Sequence, residues 1–107
     1  MRQDEGYNER QYARILHLIE RYEGGQAGIA SLIDDVYALI RALEGVSDEW
    51  RRMLIAKWAV LEETYAIALA DRKTEFDKSD KDDIALALQG LKKIIEERGP
   101  GAYSRTN

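Results

Sequence analysis

Along most of the chain, apolar residues return at steps of three and four, the spacing that gathers side chains on one face of a helix with about 3.6 residues per turn. Tyr12, Ile15, Leu16, Ile19 and Tyr22 form the first such stripe and predict a helix over about residues 8–23, which Gly24-Gly25 ends. Ile29, Leu32, Ile33, Val36, Ile40 and Leu43 form the second, over about 28–44, with Gly45 as its stop. Ser47 with Asp48 and Glu49 then opens a third helix: the serine oxygen accepts a free first-turn amide, and acids suit the positive end of the helix dipole.

This third helix, about 48–72, is the longest. Trp50, Leu54, Trp58, Leu61, Tyr65 and Ala68 share one line, with Met53, Val60 and Ile67 on one flank and Ile55 and Leu69 on the other. Only a narrow strip with Arg52, Ala59 and Glu63 faces away, so the helix is expected at the centre, touched by several others. Residues 74–78 are polar and aperiodic, which predicts a loop, and Ser79 can cap a fourth helix over about 80–98. That helix buries Ile84, Ala87, Leu88, Leu91, Ile94 and Ile95, and Gly90 within it predicts a close approach by a neighbour. Gly99-Pro100-Gly101 stops it and opens a tail over 99–107, of which residues 102–107 are expected to fray. No strand pattern occurs, and short links favour antiparallel neighbours, so the expected fold is all-α: a compact four-helix assembly with a long central third helix.

A chain of 107 residues with 45% hydrophobic content has room for one core, so residues 1–107 are read as a single domain. It contains no cysteine, which excludes disulfides and thiolate metal sites and favours a reducing, cytoplasmic setting. Residues 1–6 lack an apolar export segment, and no apolar run nears the roughly 18 to 20 residues that span a bilayer, so no membrane association is expected. The net charge of −4, with the basic residues not gathered in sequence, favours a basic partner over direct nucleic-acid binding.

Catalytic chemistry has few possible carriers. His17 is the sole histidine. With Arg10 seven positions before it, it matches the loosest form of a motif similar to that of helical RNases with a higher-eukaryote-and-prokaryote nucleotide-binding fold. A solvent-facing histidine on the polar side of the first helix is the competing reading. The pairs Asp34-Asp35, Glu62-Glu63 and Asp82-Asp83 invite a metal reading, but adjacent residues diverge by about 100° around a helix and no Glu-x-x-His element is present. Neither metal nor cofactor is expected.

Glu62 stands apart, because Ile55, Trp58, Tyr65 and Leu69 lie along its own side of the helix. It is either a carboxylate at the core edge, paired within the fold, or an acidic spot among aromatics that receives a partner's lysine or arginine. Trp50 and Trp58 are expected in the core, whereas Tyr37 is expected to be half exposed, a setting in which aromatics beside acids accept basic side chains.

Residues 32–44 (LIDDVYALIRALE), 47–50 (SDEW) and 58–69 (WAVLEETYAIAL), about a third of the chain, resemble small immunity proteins of bacterial polymorphic toxins, including those of contact-dependent growth inhibition. The resemblance implies a cytoplasmic helical protein without catalytic activity that binds a cognate toxin domain and covers its active site or substrate entry. Such toxins are often cationic nucleases, which suits an acidic inhibitor. On this reading Asp34, Asp35, Tyr37, Glu62 and Glu63 are the candidate partner-binding residues. Asp34 and Asp35 point to different faces, so at most one is expected at the centre. Two alternatives come from other classes: a helical RNase using Arg10 and His17, and a homodimeric structural or regulatory module that buries the spare apolar flank of the third helix. The expected oligomeric state is a monomer or a weak homodimer.

Overall fold

Each helix ends where a specific backbone feature stops it. A computed structural model describes residues 6–102 of the chain. Helix α1 spans Tyr7–Glu23, α2 Ile29–Ala42, α3 Asp48–Ala70 and α4 Lys78–Glu96, followed by a short 3-10 turn at Pro100–Ala102. The chain leaves α1 through Gly25 at φ 77°, where the Gly25 and Gln26 amides donate to the Tyr22 and Arg21 carbonyls. That pairing satisfies carbonyls a helix end leaves open. The same device ends α3 at Ala70, two residues earlier than expected. Arg72 takes the left-handed conformation at φ 57°, and the amides of Arg72 and Lys73 bond back to Leu69 and Ala68.

Two other helix ends differ from the sequence reading. Helix α2 stops at Ala42, before Gly45, because Leu43 is already extended; its amide donates to the Ile40 carbonyl, and Arg51 of α3 donates to the carbonyls of both Ile40 and Leu43. An arginine at this negative helix end replaces the lost intrahelical partners and opposes the dipole. Helix α4 is capped by Asp77 and not by Ser79: the Asp77 carboxylate accepts the Asp80 amide, and the Asp80 carboxylate accepts the Asp77 amide.

Lys73 donates to both Asp77 and Asp80 at 2.9 Å, which holds the Asp77 carboxyl below the 3.8 of an unperturbed aspartate, chiefly through the Lys73 hydrogen bond and then the Asp80 amide. Lys73 itself is held above its usual range by the same two carboxylates. A depressed carboxyl adds stability that is complete above its unfolded value and lost as pH falls through the folded one. In a carbon-detected NMR titration Asp77 is therefore expected to protonate below pH 3.8, and Lys73→Met to move it back toward that value.

Lateral contacts set the topology. Asn8 exchanges two hydrogen bonds with the Glu44 backbone, so the start of α1 lies beside the end of α2. Arg51 reaches Ile40 and Leu43 while Trp58 reaches Ile33, so residue numbers rise along α3 as they fall along α2, and the pair is antiparallel. Helix α4 runs back along α3; Lys92 of α4 pairs with Glu23 of α1, and Arg98, just past the end of α4, pairs with Glu9. One continuous core joins all four helices through Tyr12, Ile15, Ile19, Val36, Ile40, Leu54, Leu61, Leu88, Leu91 and Ile95. The molecule extends 51 × 25 × 20 Å, longer than the roughly 34 Å of α3, so the hairpins are staggered.

Helix α3 packs on α2 with one side and α4 with the other, and also meets the C-terminal turn. Its wide apolar arc is nevertheless not fully covered. Met53, Val60, Ile67 and Leu69, expected on buried flanks, are exposed, because α2 and α4 cover only the line through Trp50, Leu54, Leu61 and Ala68.

The expected frayed tail needs correction as far as residue 102; residues 103–107 lie outside the described residues. Ala102 is fully buried, and its carbonyl accepts the hydroxyl of the buried Tyr12, which in turn accepts the Trp50 indole N–H at 3.0 Å. The Ser47 amide donates to the Gly101 carbonyl at 2.9 Å. Gly101 sits so close to α3 that an added Cβ would meet the Ser47 Oγ at 2.6 Å, and this is the oxygen that caps α3 by accepting the Trp50 amide. Gly101→Ala is expected to push the cap aside and cost about 1 kcal/mol, the usual worth of such a cap, measurable by urea denaturation. If Ser47→Ala is made first, the alanine at 101 should cost much less.

Candidate functional site

Trp58 projects from α3 toward α2 and donates its indole N–H to the Ile33 carbonyl at 2.8 Å. Anchored in this way, it lies half buried against Tyr37, with ring centroids 4.6 Å apart and planes inclined by 36°. Arg41, one turn beyond Tyr37, donates to its hydroxyl at 3.1 Å with the guanidinium 5.8 Å from the ring centroid. Both rings are thus fixed by neighbours before any partner arrives, which lowers the entropy lost on binding. Trp58 was expected in the core. Its fixing contacts run across the surface seam between two helices, and it remains half buried.

Asp34 lies one turn before Tyr37, and Glu62 one turn after Trp58. Because α2 and α3 are antiparallel, these two steps lead in the same direction along the seam. Both carboxylates are exposed on the same side of the ring pair, and neither has an ion-pair partner among the described residues. Beyond them the seam opens into a hollow lined by Ile29, Tyr65, Leu69 and Phe76, with Lys73, Thr74 and Glu75 at its edge. Leu69 is 57% exposed there, so this end of the seam offers apolar surface to a partner. From Trp58 to Leu69 the strip is about 16 Å long, taken from the helical rise.

Three of the five candidate residues, Asp34, Tyr37 and Glu62, therefore share one face. The other two do not. Asp35 turns into an open groove between α1 and α2, beside Ala13, Arg14, His17, Leu18, Ala38 and Leu39. Glu63 is exposed on the outer side of α3, about 100° around the helix from Glu62. Glu62 is not a core-edge carboxylate paired within the fold, since it is exposed and unpaired among the described residues. His17 is a surface residue with its side chain 67% exposed, and its Nδ1 lies 4.0 Å from Glu20. Arg10, two turns earlier on the same helix, is exposed as well.

Three residues, Arg41, Ile29 and Phe76, join the site without having been among its sequence candidates. Arg41 stands four residues after Tyr37, a spacing that by itself places both on one helix face. Ile29 and Phe76 enter the hollow from separate segments, and no local spacing signals that meeting. Among the described residues no three histidine or acidic side chains come close enough to hold a metal ion, and no helix is long and apolar enough to cross a membrane. No protein family, curated protein or solved structure matches the chain.

Proposed function

We propose that this protein is a cytoplasmic immunity protein that binds a cognate, basic nuclease toxin domain through the α2–α3 seam and covers its active site or substrate entry. The observation that carries this reading is the pre-fixed Tyr37–Trp58 pair flanked on one side by the carboxylates of Asp34 and Glu62, which have no ion-pair partner among the described residues. Rigid aromatics supply contact area at low entropic cost, and adjacent exposed acids steer and orient a cationic surface. The hollow at Ile29, Tyr65, Leu69 and Phe76 continues the contact with apolar area. The resemblance of residues 32–44 and 58–69 to toxin immunity proteins supplies the toxin as partner, and the seam is built largely from those residues. In this role the protein performs no chemistry; it excludes substrate by occupying space.

The reading is tested by co-expressing the chain with a basic nuclease toxin domain, sought first among the genes next to its own. Growth is expected to be rescued by the wild type and lost with Asp34→Arg combined with Glu62→Arg. Failure of the wild type to rescue, together with failure to bind the purified domain, would reject that partner.

A further inference from the structure

The flank of α3 that faces away from α2 carries a second surface. Leu86 of α4, 70% exposed, stands beside Val60 of α3, 37% exposed, over a groove that also takes in Lys57 and Asp83. The stem of Lys57 lies across Gly90, whose missing side chain makes room for it: a Cβ there would sit 3.0 Å from the lysine Cδ and Cε. Asp83 is seven residues before Gly90, about 10 Å along α4. The groove thus has a cation at one end, an apolar middle and an anion at the other end. Neither Lys57 nor Asp83 has an ion-pair partner among the described residues.

We propose that this groove is a self-association face that receives the same groove of a second copy of the chain, related by a two-fold axis crossing the helices at right angles near Val60. Such an axis reverses the direction of the groove, so Lys57 of each copy meets Asp83 of the other and the ion pair forms twice. The exposed apolar stripe has the same symmetry. Met53 and Ile67 lie seven residues before and seven after Val60, so the axis that sets Val60 against its copy also sets Met53 against Ile67. A parallel arrangement would bring like charges together, and a head-to-tail one would not close. The dimer leaves the α2–α3 seam open on both copies, so it does not depend on the toxin reading.

Mass in solution of the full chain, followed by sedimentation from the micromolar to the millimolar range, tests this. The mass is expected to rise from 12.2 kDa toward twice that value. Leu86→Lys should weaken association roughly a hundredfold. Lys57→Asp or Asp83→Lys alone should weaken it roughly tenfold by opposing like charges, and the two combined should restore it. Circular dichroism checks that these surface variants keep the fold. A 12.2 kDa species throughout the range, a dimer indifferent to Leu86→Lys, or a double exchange no better than either single one would each overturn the proposal.

Discussion

Replacing Tyr12 by phenylalanine is expected to cost about 2–4 kcal/mol of stability, although it removes a single oxygen atom. The Tyr12 hydroxyl accepts the Trp50 indole N–H at 3.0 Å and donates to the Ala102 carbonyl. Tyr12 and Ala102 are fully buried and Trp50 is 7% exposed, so phenylalanine would leave a donor and an acceptor without partners where water has little access. Each such orphaned group costs about 1–3 kcal/mol, far more than the small net worth of a satisfied hydrogen bond. In a domain of this size each kcal/mol lowers the melting temperature by about 4–8 °C, so a fall of roughly 10–25 °C is expected. The loss should have a location. Hydrogen exchange at the Ser47 amide, which bonds to Gly101, should speed up more than exchange in α2, because the C-terminal turn loses its anchor to α1. A loss below about 0.5 kcal/mol would show that water reaches both groups, and the description of this junction as dry would be wrong.

Reversing both Asp34 and Glu62 to arginine is expected to weaken binding of the proposed toxin partner by about 10²- to 10³-fold, equivalent to roughly 3–4 kcal/mol. The size follows from position. Both acids lie on the same side of a rigid ring pair, so a basic partner seated on Tyr37 and Trp58 meets them together, and two arginines there would repel it. Asp35→Arg and Glu63→Arg serve as internal controls. They change the net charge equally but lie in the α1–α2 groove and on the outer side of α3, so their effect should stay within a few-fold and vanish as salt is raised. Surface plasmon resonance resolves the two components: reversal at the seam should raise the off-rate, while reversal elsewhere should act on the on-rate. A larger effect at Asp35 or Glu63 than at the seam pair would relocate the interface to that face.

The candidate site was legible wherever one helix carried the information. Ile55, Trp58, Glu62, Tyr65 and Leu69 share a side of α3 by spacing alone, and the divergence of Asp34 from Asp35 follows from the 100° step between neighbours. What spacing could not supply was which residues of one helix meet those of the next. Tyr37 and Trp58 lie 21 positions apart, and their stacking depends on the register between α2 and α3, which Arg51 and the Trp58 indole set through the Ile40 and Ile33 carbonyls of α2. The same limit applies to Phe76, which reaches the seam from the α3–α4 connection.

The polar and apolar order of the residues determined the four helices, the faces they bury and their antiparallel sequence, because a 3.6-residue period and glycine or serine at the ends act over a few neighbouring positions. Tertiary structure alone decided three further features. The wide arc of α3 is left partly wet, because two flanking helices cover only the middle of it. Ala102 is docked and not frayed, since the buried Tyr12 hydroxyl finds its carbonyl and the Ser47 amide holds Gly101 beside it. Asp34 and Tyr37 of α2 come to one face with Glu62 of α3, because the register between the two helices sets Tyr37 against Trp58. In each case the deciding contact joins atoms far apart in the chain, and the energy of filling that contact enters only when the helices pack.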